Sequence, residues 1–191
     1  EFKFIPHYDN PGVTFVFNNK IVIINFSKEP SAFLVESKES AQSYSTYFEL
    51  LWNQKVSVYE GKKDTTNFFR NIIGELHEGE EYFVINGNYG SIIELKQFFQ
   101  HYHKQRVKRG VKANILFNAN IKGVENSLAL APAEYKFLPK DFKSPLQMTF
   151  YKDKLYISLW QKPVLGFLIE SKEVVDAFKA YFDHLWNQSK K

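Results

Sequence analysis

The chain has 191 residues, 44% of them hydrophobic and 17% aromatic, with a net charge of +4 and no cysteine. That length and apolar content can form the core of one globular domain or one and a half, and the missing thiols exclude disulfides, thiolate nucleophiles and Cys-ligated zinc. No apolar run is long enough to cross a bilayer, and the start, Glu1-Phe-Lys-Phe4, lacks the regions of a signal peptide, so a cytoplasmic protein without membrane contact is expected.

In chain order, Thr14-Phe-Val-Phe17 and Ile21-Val-Ile-Ile24 flank the polar turn Asn18-Asn-Lys20 and read as a β-hairpin. Phe33-Leu-Val35 gives a short third strand. Ser37 then stands at the N-cap of a helix with Glu39 in its first turn and Ala41, Tyr44, Phe48 and Leu51 along one stripe. Val56-Ser-Val-Tyr59 is a strand that leads through the loop Glu60-Gly-Lys-Lys63 to a helix over about 64–76, with Phe68, Phe69, Ile72, Ile73 and Leu76 on its buried side. Glu81-Tyr-Phe-Val-Ile85 is the next strand. The polar loop Asn86-Gly-Asn-Tyr-Gly90 then precedes Ser91 and a long helix that stops at Gly110, a residue suited to the left-handed position past a helix end. Lys112-Ala-Asn-Ile-Leu-Phe117 follows as a strand, and the alternation implies a largely parallel sheet with right-handed crossovers.

The last third repeats the first. Glu1-Phe-Lys-Phe-Ile-Pro6 returns as Glu134-Tyr-Lys-Phe-Leu-Pro139, and residues 11–54 align without gaps against 145–188. Phe33-Leu-Val-Glu-Ser-Lys-Glu39 thereby pairs with Phe167-Leu-Ile-Glu-Ser-Lys-Glu173, and Leu51-Trp-Asn-Gln54 with Leu185-Trp-Asn-Gln188. Such a repeat fixes the architecture before any residue-level reading. It implies two bodies: residues 1–54, the C-terminal half of a preceding lobe, and residues 55–191, a complete lobe. The start within a repeat unit and the absent initiator Met predict a piece of a longer protein.

A strand–helix–strand–helix–strand run followed by a hairpin, strand and helix, occurring more than once, resembles the lobe of the phospholipase D superfamily. The phrases Tyr59-Glu-Gly-Lys62, Tyr102-His-Lys-Gln-Arg-Val-Lys-Arg-Gly-Val111 and Phe182-Asp-His-Leu-Trp186 are similar to the phospholipase D-like effector region of TrmB-like archaeal transcriptional regulators. That resemblance implies a module working in transcription regulation, with DNA reached through a domain outside these residues, a small-molecule or anionic effector, and self-association. The superfamily's chemistry needs His-x-Lys-x4-Asp on the hairpin: a His attacks phosphorus, another protonates the leaving oxygen, and the lysines offset phosphoryl charge. With Asp153 at the Asp position, Leu146 and Met148 fall where His and Lys belong; with Asn19 there, Gly12 and Thr14 do. None of the five histidines is followed by Lys two residues later. No catalytic residue is therefore assigned, and the chain is expected not to be an enzyme.

Other chemistry is sparse. His101 and His103 project about 160° apart on a helix and cannot share a metal, so no metal site and no cofactor is expected. His101, Lys104, Gln105 and Lys108 share a solvated face, whereas His103 and Arg106 align with Ile92, Leu95 and Phe99. An Arg on an apolar face needs a carbonyl, a carboxylate or an anion. Open α/β sheets bind ligands at the C-terminal ends of their strands, here the loops 60–63, 86–91 and 118–122. The candidate ligand-binding residues are Lys62, Asn86, Asn88, Tyr89, Ser91, His103, Arg106 and Asn118. The expected role is ligand sensing or dimerisation, against two alternatives, a divergent phosphodiesterase or nuclease and a basic nucleic-acid-binding module.

Overall fold

The two repeated hairpins close on the same backbone conformation: in the computed structural model of the chain, Asn18 has φ 53° and Lys152 has φ 50°. The left-handed region is uncommon for residues other than glycine and costs least for Asn. The structure describes residues 12–88, 93–121, 133–142 and 144–190. By contact density the chain divides into two units, Glu1–Gln54 and Lys55–Lys191.

In the first unit, β1 (Gly12–Phe17), β2 (Lys20–Asn25) and β3 (Ser31–Glu36) form an antiparallel sheet in that order, followed by α1 (Lys38–Trp52). The Ser37 hydroxyl accepts the Ser40 N–H at 3.1 Å, which supplies a partner for one of the donors a helix start leaves unpaired. Among the described residues of this unit, Ile21 and Ala41 are the buried apolar ones. The apolar stripe expected on α1 is only partly covered: Ala41 is buried and Leu51 half-buried, while Tyr44 and Phe48 are exposed.

The second unit contains β4 (Val56–Glu60), α2 (Gly61–Glu75), β5 (Glu81–Gly87), α3 (Ile93–Lys108), β6 (Lys112–Phe117), β7 (Ala133–Phe137), β8 (Leu146–Tyr151), β9 (Lys154–Leu159), β10 (Leu165–Glu170) and α4 (Lys172–Gln188). The sheet order is β4-β10-β9-β8-β5-β6-β7. β5, β6 and β7 are parallel to one another, and the remaining neighbours pair antiparallel. The α/β lobe is thus as expected, with its parallel part confined to three strands. The reason is β4, which lies not beside β5 but at the far edge, pairing Val58 with Phe167. The expected loop 60–63 is absent as a loop: Glu60 ends β4, and Gly61, at φ 80°, turns it directly into α2, a conformation glycine adopts without strain.

Both sheet faces are covered. On one side α2 and α3 bury Phe68, Phe69, Ile72, Phe99 and Tyr102 against Tyr151 and Tyr156. On the other, α4 buries Val175, Phe182 and Leu185 against Met148, Phe150 and Leu155. Phe68 stacks on Tyr156 with ring centroids 4.0 Å apart. The Tyr156 ring in turn lies over Gly166, where a Cβ would overlap its hydroxyl and ring atoms. In the first copy the equivalent residues are Val22 and Ala32, a smaller ring-position residue beside a larger glycine-position residue. The capping geometry is repeated too: Ser171 accepts the Val174 N–H, and its own N–H donates to Asp153 O at 2.8 Å as that of Ser37 does to Asn19 O at 3.0 Å.

Candidate functional site

The site begins with a bulge. The pairing of β5 with β6 shifts between Ile85 and Gly87, leaving Asn86 as the extra residue at φ 58°. A bulge re-aims the side chain it frees, and here the Asn86 amide turns toward the start of β8. Its Nδ2 donates to Ser144 O at 2.8 Å and to Leu146 O at 2.7 Å, while its Oδ1 accepts from Asn118 Nδ2 at 2.8 Å. Asn118 Oδ1 accepts the Asn120 N–H at 3.0 Å, which winds the chain after β6 into a 3-10 turn over Ala119–Ile121. Asn86 is 1% exposed, so every polar atom of its amide needs a protein partner and finds one.

A second buried amide anchors Asn88. Gln147 Oε1 accepts the Asn88 N–H at 3.0 Å and the Trp160 Nε1–H at 3.2 Å, and its Nε2 donates to Thr149 Oγ1. These two networks leave between them a cavity of about 400 Å³, lined by Asn88, Asn118, Asn120, Ile121, Phe142, Ser144 and Pro145. Among the described residues that line it, none is titratable. Amide and hydroxyl dipoles beside a flat ring suit the binding of a polar molecule.

The expected site residues separate. Asn86, Asn88 and Asn118 meet at this cavity, with Asn86 acting behind the wall. Lys62 is exposed on α2, four strand spacings or roughly 19 Å along the sheet from β5. Tyr89 and Ser91 lie outside the described residues. His103 and Arg106 sit near the other end of the sheet, both fully buried in the last turns of α3. Arg106 Nη1 donates to Val111 O at 2.8 Å and Nε to His103 Nδ1 at 3.4 Å. The cation therefore holds the carbonyl that follows the helix, the alternative to an anion. Burial, helped by Arg106, pushes the His103 pKa down to about 3, so the imidazole stays neutral.

Asn120 and Ile121 fall within the expected ligand loop 118–122, whereas Phe142, Ser144, Pro145 and Gln147 were not singled out in the sequence. Gln147 left a trace there, as an amide within the β-prone run 147–151, where a buried polar group must be paired. Among the described residues no three His, Asp or Glu side chains converge as metal ligands, and no helix is long and apolar enough to cross a membrane.

No protein-family model matches the chain, and no curated protein sequence does. Solved structures do match. TrmBL2, an archaeal chromatin protein with a novel mode of DNA binding, superposes with a TM-score of 0.53 at 19% identity over 81% of this chain and 63% of that one. NucT from Helicobacter pylori gives 0.53 at 11% identity over 71% of this chain and 98% of its own, and Nuc from Salmonella typhimurium, a phospholipase D family member, gives 0.47 at 12% over 71% and 97%. The chain carries a phospholipase D-like lobe. It spans 63% of the length of the TrmBL2 chain.

In this phospholipase D-like lobe the two residues that the sequence register put at the His and Lys positions, Leu146 and Met148, both fall on β8. Leu146 begins it, giving its carbonyl to Asn86, and Met148 is 8% exposed in the apolar layer under α4. Two residues that line the asparagine cavity, Ser144 and Pro145, immediately precede Leu146.

Proposed function

We propose that this chain is a catalytically silent phospholipase D-like module that recognises a small polar ligand within a DNA-associated regulator. The observation that carries the reading is the juxtaposition at the head of β8: Leu146 and Met148 at the motif positions, beside a cavity walled by neutral amides. A phosphodiesterase needs a nucleophile and cations where phosphorus would lie, and these residues offer hydrogen bonds and apolar surface. The likeness to TrmBL2 supports a link to DNA, through contacts that the module itself need not make. Self-association and a cytoplasmic setting belong to the same reading. The described lining, amides, a hydroxyl and apolar groups, favours an uncharged ligand over the anion expected from the sequence.

The test combines two measurements on the purified chain. A thermal-shift panel of sugars, nucleosides, nucleotides and sugar phosphates should contain a compound that raises the melting temperature, because a ligand binding only the folded state stabilises it. Asn120→Ala keeps the backbone bond to Asn118 and removes one lining amide, so it should abolish that shift while leaving the unliganded melting temperature unchanged. Hydrolysis of a generic phosphodiester or of single-stranded DNA above background would refute the silent reading. A panel without any response would refute ligand recognition.

A further inference from the structure

The first unit carries a sheet face that the second unit shows how to cover. Strand register places Val13, Phe15, Phe17, Val22, Ile24 and Leu34 together on one face of β1–β3. Ile21, one residue out of phase and 1% exposed, belongs to the other. Phe15, Phe17 and Leu34 are 51%, 48% and 58% exposed, while the residues at the same repeat positions, Thr149, Tyr151 and Leu168, are 0%, 2% and 8% exposed. What hides the latter is α2, whose Phe68 meets the rings of Tyr151 and Tyr156 within a cluster that includes Leu168. The strand edges differ in the same sense. β8 is flanked by β5 and β10 by β4, whereas among the described residues β1 and β3 are the outer strands of their sheet.

The uncovered face amounts to roughly 400 Å² of apolar surface, at the scale that marks an interaction site and about half of what one partner contributes to a standard interface. Two open edges add unpaired backbone groups that a neighbouring strand would satisfy. We infer that this unit is the receiving half of a second lobe, and that its occupant is a strand–helix–strand segment of the same polypeptide preceding β1, built like residues 55–118. Chain order selects that source: in the complete lobe β4, α2, β5 and α3 all precede β8, and the repeat is collinear. A second copy of this chain cannot supply the segment, because its residues 55–118 already cover its own β8, β9 and β10.

Hydrogen exchange tests this on the 191-residue chain and on the polypeptide extended through the coding sequence upstream of Glu1. In the shorter protein the β1 and β3 amides should exchange about 100-fold faster than those of β8 and β10, and in the extended protein they should become comparably protected. Phe15→Asp and Leu34→Asp should lower the melting temperature of the extended protein and leave that of the shorter one unchanged. Protection of β1 and β3 already in the shorter chain overturns the inference, with sedimentation telling whether that chain or a second copy covers the face. So does an upstream sequence without a strand–helix–strand pattern, or an extension that adds no protection.

Discussion

Replacing Asn86 with Ala removes the centre of the bulge network. Two donor bonds to Ser144 O and Leu146 O and one acceptor bond from Asn118 Nδ2 disappear. At about 1 kcal/mol for each neutral bond, with a surcharge for partners left buried, the loss is roughly 3 kcal/mol. Ala at φ 58° adds about 1 kcal/mol of left-handed strain that Asn tolerates better. The total, about 4 kcal/mol, is a large share of the roughly 5–15 kcal/mol that typically stabilises a domain. Asn86→Gly separates the contributions: it loses the same bonds but is free of the strain, and should recover about 1 kcal/mol relative to Ala. Urea denaturation followed by fluorescence is the assay, in a Trp52→Phe background so that Trp160 and Trp186 of the lobe report alone. A cost below about 1 kcal/mol for Ala, or a Gly variant no more stable than the Ala variant, would refute a stabilising role for the bulge network.

Gly166→Ala should destabilise the lobe by about 1–3 kcal/mol through overlap with Tyr156. Adding Tyr156→Val, which reproduces the Val22 and Ala32 pair of the first copy, should make the double variant more stable than the sum of the singles; additive singles in a double-mutant cycle would rule the overlap out. His103 has a folded pKa of about 3, below its unfolded value of 6.5, so its contribution is complete above pH 6.5 and is lost as pH falls toward 3. Between about pH 6.5 and 5 stability should drop by on the order of 1–2 kcal/mol, and His103→Gln should flatten that slope; an unchanged slope in urea titrations would contradict the buried neutral imidazole. Gln147→Leu should red-shift Trp160 emission and weaken any ligand-induced thermal shift, because Oε1 anchors both the indole and Asn88; unaltered emission and shift would show that the anchor is dispensable.

Local rules made much of the fold legible. The alternation around Asn18 and Lys152 and the capping serines at 37 and 171 act within a few residues, and the gapless repeat carried the assignment from one copy to the other. Non-local pairing was not legible. β4 reads like any strand that opens a crossover unit, and nothing in Val56–Glu60 says that it joins the far edge beside β10. The exposed ring positions of α1 look the same in sequence as the buried ones of α4, since periodicity reports which residues share a face and not whether anything lies against it. At the site, Asn86, Asn88 and Asn118 could be found because strand ends are where ligands bind. Phe142 and Ser144 could not, because they reach the cavity from a segment more than 20 residues further along the chain.

The position of β4 also bears on how the lobe is made. Residues 56–60 pair with residues 165–169, so the first strand of this lobe to leave a ribosome waits for β10, the last, before its edge closes. The β8–β9–β10 meander and the β5–α3–β6 crossover can form from nearby chain, but β4 and the start of α2 gain their neighbour only after a separation of about 100 residues, a costly closure that slows folding. During that interval Val56 and Val58 form an open, apolar strand, the kind of segment that pairs with the wrong chain. Synthesis rate, and chaperone access to the early part of the lobe, should therefore govern soluble yield more strongly than the stability of the finished core.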